Sequence, residues 1–240
     1  MLKLTVDVWS DIACPWCYVG KRRLAAALEQ LCDGGPDSPR REEIAVTWRS
    51  FELDPGAPRS FPPDPPFAAR LARKYGSSLA DAEAMIARMT EVGAADGLEL
   101  HFEKLRPGNT FDAHRLLHLA RTVDLQDALA ERLFSAYLRD GLAVGEPAVL
   151  ADLAVEVGLD RAEVERLLVS DSFAAAVRED EHLARQIGVR GVPFFVFGER
   201  HTMSGAQPVA ALVSAMQTAL AELSNETLVE GMVCGPDGCA

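Results

Sequence analysis

Strand-forming runs stand near both ends of this 240-residue chain, and the long stretch between them reads as helix. That order constrains the fold more than any other feature. β-prone segments so far apart in sequence form a core by meeting in one sheet, which makes the stretch between them an insertion. The first run covers residues 2–9, with Val6, Val8 and Trp9 β-branched or aromatic, and residues 44–51 (IAVTWRSF) alternate as a second strand. Residues 192–197 (VPFFVF) and 200–204 return to strand around a Gly198-Glu199 turn. A segment with Pro55, Pro58, Pro62, Pro63, Pro65 and Pro66 continues neither helix nor central strand, and reads as a linker or lid. Helical spacing then recurs over 78–95, 110–123, 126–139, 147–157, 161–168 and 172–187. A last amphipathic helix is expected over 207–223, with Pro208 in its first turn.

A charge of −12 argues against nucleic acid or an anionic membrane as partner. No apolar run has the length of a membrane span, and the N-terminus lacks a secretory pattern, so a cytoplasmic protein is expected. In a reducing compartment five cysteines point to catalytic or metal use rather than a structural disulfide framework.

Cys14-Pro15-Trp16-Cys17 falls where the first strand gives way to a helix marked by Leu24, Ala27, Leu28 and Leu31. A sulfur at that junction faces unpaired backbone N–H groups and the positive end of the helix dipole, which favour a thiolate. A free cysteine titrates near pH ~8.5, and sites of this kind bring it to roughly 3.5–7.5. Cys14 is expected to be the exposed nucleophile, ionised near neutral pH, and Cys17 the buried partner that resolves a mixed disulfide. Half a zinc site or two inert core cysteines is the other reading of the motif.

Several further residues carry weaker signals. Asp7, on the strand feeding the motif, either lies buried beneath Cys17 as a proton acceptor or faces solvent. His114 and His118 share a helix face, where packing or capping outweighs zinc binding because no local Glu or Cys completes a site. Cys32 reads as a bystander. Trp9, Trp16, Phe194 and Phe195 read as core or as an apolar rim for an unfolded client, with Trp16 the best rim candidate.

Ser10-Asp11 before the motif, Tyr18 and Gly20 after it, Phe51-Glu52-Leu53-Asp54-Pro55, Asn109-Thr110 with Ala113-His114-Arg115, and Gly191-Val192-Pro193 together resemble the DsbA-like branch of the thioredoxin superfamily, FrnE type. The resemblance implies an α/β, thioredoxin-like fold with a large inserted all-helical domain. The thioredoxin-like part is then 1–58 with 188–226, the insertion 59–187, and the tail 227–240. It implies a cis proline at Pro193, set with Val192 to hold an extended client near Cys14, and places Asn109 and His114 between the two parts as auxiliary candidates. Exported oxidase relatives often carry His where Trp16 stands. An indole brings no charge, so a milder oxidant is expected here.

Cys234-Gly-Pro-Asp-Gly-Cys239 closes the sequence as a turn-forming segment flanked by cysteines. Three readings fit this pair: a relay exchanging with Cys14–Cys17, an independent disulfide that ties down the tail, or a reduced tail or weak metal site. A tail extended over 224–234 spans roughly 33 Å, enough to reach toward Cys14.

These observations predict a thiol–disulfide oxidoreductase, an oxidase, reductase or isomerase of protein disulfides. Its partners are proteins with thiols or disulfides. No metal or other cofactor is expected beyond the redox-active disulfide, with glutathione a candidate electron partner. Two other functions fit the same fold: a glutathione-dependent isomerase or transferase of small aromatic or polyketide molecules, and a redox-sensitive holdase chaperone. Some relatives of the first kind carry serine where Cys14 stands, and the intact pair argues against it.

Overall fold

The computed structural model describes residues 3–231 apart from 34, 36, 37 and 63. Four strands, β1 (Leu4–Ser10), β2 (Ile44–Ser50), β3 (Phe194–Phe197) and β4 (His201–Ser204), form one sheet in the order β2-β1-β3-β4. β1 and β2 run parallel from Leu4 opposite Ile44 to Ser10 opposite Ser50. Parallel neighbours need a crossover, and α1 (Pro15–Cys32) supplies it. β3 lies antiparallel to β1 with Phe195 opposite Val8, and β4 folds back on β3 as a hairpin.

The pleat of β1 sorts its side chains between two layers. Leu4, Val6 and Val8 join a core with Leu24 and Leu28 of α1 and Leu212 and Met216 of α9 (Val209–Gly231). On the other face Trp9 packs with Val196, Val189 and Ala184 beneath α8 (Ala174–Gln186). The Trp9 indole N–H donates to the Asp180 carbonyl at 2.9 Å, which pins α8 to that face.

Between β2 and α8 a non-helical, proline-rich stretch leads into the helices α2 (Phe67–Tyr75), α3 (Leu79–Ala95), α4 (Phe111–Arg121), α5 (Gln126–Leu138), α6 (Pro147–Glu156) and α7 (Arg161–Leu168). Local chemistry sets several starts. Ser78 and Asp81 form a capping box on α3, Asp160 caps α7, and Pro147 opens α6, where its missing N–H is not needed. Leu116, Leu129, Leu133 and Phe134 of α4 and α5 are fully buried in the same cluster as Val6 and Val8. The insertion and the sheet therefore share one core. β2 is an edge strand, and α5 covers it with a side chain that imitates a strand. The Gln126 amide accepts the Trp48 N–H at 3.0 Å and donates to the Trp48 carbonyl at 2.9 Å.

α1 begins at Pro15, so both cysteines of the motif belong to its first turn and cap, as their place between strand and helix leads one to expect. One boundary differs from expectation. α9 continues past 223 to Gly231, since no Gly or Pro interrupts it before that residue. It crosses the expected tail boundary at 226. Residues 224–231 rise about 1.5 Å each rather than about 3.3 Å, so a tail extended from 224 is not what this chain has. Cys234 and Cys239 lie outside the described residues. No described helix is long and apolar enough to cross a membrane.

Candidate active site: the cysteine pair at the start of α1

β1 hands the chain to a tight turn in which the Asp11 carbonyl accepts the Cys14 N–H at 3.0 Å. Cys14 is the N-cap of α1, in extended backbone geometry, and Pro15 follows as the first helical residue. The Cys14 carbonyl accepts the N–H groups of Cys17 at 3.0 Å and Tyr18 at 3.4 Å, which closes the first turn and draws Cys17 inward.

The loop before β3 completes the site. The Val192–Pro193 peptide bond is cis. The Cys14 thiol donates toward the Val192 carbonyl at 3.7 Å. Gly205 N–H donates to the Pro193 carbonyl at 2.8 Å and ties the loop to the end of β4. Pro193 also lies against α1 at Gly20, where a Cβ would stand 2.9 Å from the proline Cγ. This close approach explains a glycine in the middle of a helix.

That loop corrects one expectation. Cys14 is 6% exposed, not an open nucleophile, and the Val192 carbonyl stands over its sulfur. Cys17 is 0% exposed, so the order of access between the two is as expected. Trp16, at 42%, is the outward side chain of the motif. Burial pushes the Cys17 thiol well up, and the hydrogen bond and charge of Cys14 add to it. The Asp11 backbone amide works the other way, and the Asp11 carboxylate pushes up again.

Asp11 is the acid that sequence reasoning missed as a functional group. It is 1% exposed. Its carboxylate accepts the N–H of Leu53 at 2.7 Å and of Ala13 at 3.2 Å. Burial alone would raise this carboxyl, but the His114 ring, in contact and in charge, outweighs it together with the two amides, and Asp11 titrates below its ordinary value. Its place immediately before the motif was the available signal. Asp7, the candidate instead, is turned by the strand's alternation to the α8 face, away from Cys17. There it accepts from Arg49 Nε at 2.7 Å, so it is neither a buried acid beneath Cys17 nor a free surface group.

α4 brings both histidines inward, each to its own acid. His114 Nε2 lies 3.6 Å from Asp11 Oδ1. His118 Nε2 lies 3.1 Å from both Ser50 Oγ and Asp180 Oδ2. Asn109 caps its own turn by accepting the Phe111 N–H at 2.9 Å, and its amide reaches toward Glu52 Oε1 at 3.5 Å. Glu52 is buried and bonded to Arg178, which also bonds Glu181 at 2.7 Å. No group of three or more His, Cys, Asp or Glu among the described residues is arranged to hold a metal ion. Trp9 and Phe195 are core, Phe194 is partly covered and meets Trp9 edge-on, and Cys32 is a free thiol at the end of α1.

A cysteine pair capping the crossover helix of a four-stranded mixed sheet, faced by a proline loop, defines a thioredoxin-like protein with a helical insertion. More narrowly, residues 5–217 match the model of the DSBA-like thioredoxin domain, and the chain belongs to that family of oxidoreductases. A probable DsbA oxidoreductase from Streptomyces coelicolor superposes with a TM-score of 0.81 at 38% identity, over 99% of this chain and 98% of that one. The uncharacterized protein YwbO of Bacillus subtilis is 26% identical over 81% of this chain and 86% of its own. The cytosolic disulfide reductase DsbM of Pseudomonas aeruginosa shares the fold, with a TM-score of 0.57 at 16% identity over 94% and 99% of the two chains.

Proposed function

We propose that this chain is a thiol–disulfide oxidoreductase of protein substrates, with Cys14 and Cys17 as its redox pair. The observation that carries the reading is the stacking of Cys14 between the first turn of α1 and the Val192 carbonyl, with Cys17 directly behind it. Facing a client disulfide, the Cys14 sulfur attacks one client sulfur and the other leaves as a thiolate. Cys17 then attacks Cys14, and the second client sulfur leaves. Two electrons pass to the client and the pair becomes a disulfide. The same steps reversed oxidise a client dithiol. Val192 offers a backbone carbonyl beside the reacting sulfur, and Trp16 offers an exposed apolar ring to the client. Glutathione fits as the small-molecule electron partner and the cytoplasm as the compartment, in keeping with the absence of a membrane-crossing helix among the described residues. The C-terminal pair Cys234 and Cys239 is a candidate second redox couple.

Insulin reduction and refolding of scrambled ribonuclease test the reading. Both activities are expected in the wild type and lost in Cys14→Ser, while Cys17→Ser accumulates a mixed disulfide with the client. Undiminished turnover in Cys14→Ser would overturn it. Client binding that survives removal of both cysteines, without turnover in the wild type, would favour a holdase.

A further inference from the structure

The proline-rich segment ahead of α2 forms one wall of a cleft, and no residue lining that cleft belongs to the cysteine site. The cleft holds about 930 Å³ and lies between this segment, α2, α3 and residues 100–107. Ligand pockets commonly run to ~300–1,000 Å³. Phe61, Phe67, Ile86, Leu100, Phe102 and Leu105 give it an apolar lining, with the ring centroids of Phe67 and Phe102 5.8 Å apart. The wall is fastened at several points. Phe61 N–H donates to the Pro107 carbonyl at 2.9 Å. Arg70 of α2 lies over the Phe61 ring at 5.0 Å and donates through Nη2 to the carbonyls of Pro62 at 2.6 Å and Asp64 at 2.9 Å. Gly108 lies so close to the Arg59 carbonyl that a Cβ there would collide with it. Pro62, Pro65, Pro66 and Pro107 further restrict the backbone, so the cleft is a built feature of the insertion.

Charge decides what such a cleft takes. The chain carries −12 overall, yet the lining holds Arg70, Lys104 and Arg106 against one acid, Glu103. That acid is already engaged by His101 at 3.0 Å. Lys104 and Arg106 are exposed, and neither side chain makes an ion pair or hydrogen bond among the described residues; Lys104 bears on Glu103 by charge alone. Arg70 commits only Nη2 to the wall, which leaves its Nε and Nη1 donors without a hydrogen bond among the described residues. Guanidinium groups present a donor fork that matches a carboxylate. Aromatic and aliphatic walls gain by taking apolar surface out of water.

We propose that this cleft binds an amphipathic carboxylate, with the apolar body of the ligand against Phe61, Phe67 and Phe102 and its anionic end among Arg70, Lys104 and Arg106. A cationic ligand with the same body meets three like charges there. A neutral one gains the apolar contact and leaves the cations unused. The site stands independently of the redox reading, since Cys14, Cys17, Val192 and Pro193 take no part in its lining. It makes the helical insertion a binding module in its own right.

Laurate and dodecylammonium carry the same hydrocarbon tail and heads of opposite sign, and calorimetric titration of the full chain with each tests the site at low salt. Laurate is expected to saturate a single site and to bind at least about tenfold tighter than dodecylammonium. Lys104→Glu combined with Arg106→Glu alters exposed side chains only, and is expected to weaken laurate at least about tenfold while tightening dodecylammonium. Structural damage would weaken both ligands and would not exchange their order. Ile86→Trp, which fills the cleft from α3, is expected to abolish binding of both; should it not fold, the charge-reversed protein decides. Cys14→Ser is expected to bind laurate within about twofold of wild type, which keeps this site distinct from the redox pair. Absence of saturable laurate binding, equal affinity for the two heads, an unchanged laurate affinity after charge reversal, or loss of laurate binding in Cys14→Ser would each overturn the assignment.

Discussion

Gly20 and Pro193 touch beside the candidate active site: a Cβ on residue 20 would lie 2.9 Å from the proline Cγ and 3.3 Å from the tip of the Phe195 ring. Neither ring can yield easily, since Phe195 is fully buried and Pro193 is held through its carbonyl by Gly205. Alanine at 20 gains about 1 kcal/mol of helix propensity. Forcing a methyl into a packed contact costs about 1–3 kcal/mol. Gly20→Ala is therefore expected to be net destabilising by up to about 2 kcal/mol and to move the Val192 carbonyl off Cys14. Equilibrium denaturation checks the first effect and insulin turnover the second. An unchanged midpoint with full turnover would show that the contact does not constrain the loop.

Cys17 links the stability of the reduced protein to alkaline pH. Its folded value lies above its unfolded one, so its contribution is fully present below about pH 8.5. Above that the unfolded chain releases the proton while the folded chain keeps it, and stability falls by about 1.4 kcal/mol per pH unit. Denaturation midpoints of reduced wild type and Cys17→Ala are expected to diverge in slope between pH 8 and 10, the wild type falling faster. Parallel curves would mean that the thiol ionises in the fold as easily as in the open chain.

The Gln126 amide serves both backbone groups of Trp48, and both residues are buried. Gln126→Ala leaves a donor and an acceptor unpaired at the sheet edge, at a cost of about 1–3 kcal/mol for each group that water cannot reach. Gln126→Glu retains the acceptor but turns a buried carboxylate oxygen toward the Trp48 carbonyl, so a loss at least as large as that of Gln126→Ala is expected at pH 7. Chemical denaturation of the three proteins gives the ranking, and equal stability of all three would refute the edge-pairing role.

Arg178 neutralises two buried carboxylates at once, Glu52 and Glu181. Burial holds the Glu52 carboxyl above its ordinary value even with the arginine in place. A carboxyl raised in the fold favours stability below its unfolded value near pH ~4.3 and weakens it as pH climbs. Removing the cation enlarges that effect. Arg178→Gln is expected to lose more stability at pH 7 than at pH 5, measured by thermal unfolding at both. A loss independent of pH would indicate packing on the Phe111 ring, over which Arg178 also lies at 4.4 Å.

Much of this arrangement was legible from residues alone. Val6, Val8 and Trp9 identify β1, and the phenylalanines at 194, 195 and 197 identify β3, because period and β-branching report burial directly. Cys14 and Cys17 stand at the start of α1, where their place between strand and helix puts them. What stayed hidden depends on direction in space. Nothing in Asp7 and Asp11 as letters says that one faces α8 and the other meets His114, since Asp7 lies within β1 and Asp11 opens the turn that follows it. The pairing of His114 with Asp11, and of His118 with Asp180, joins segments that meet only after the insertion docks. The shelter over Cys14 comes from Val192, a residue with no chemical signature of its own.

That shelter has a consequence in time. The Cys14 sulfur and the Val192 carbonyl are separated by 178 residues of chain. At a synthesis rate of about 5–20 residues per second, roughly 10–35 s pass between the emergence of the two from the ribosome. Throughout that interval β1 lacks its β3 neighbour and the motif has no lid, so the nascent protein presents two bare thiols beside an unpaired strand. An oxidant or a stray disulfide meets these two sulfurs first in their unguarded form, before the closing strand arrives.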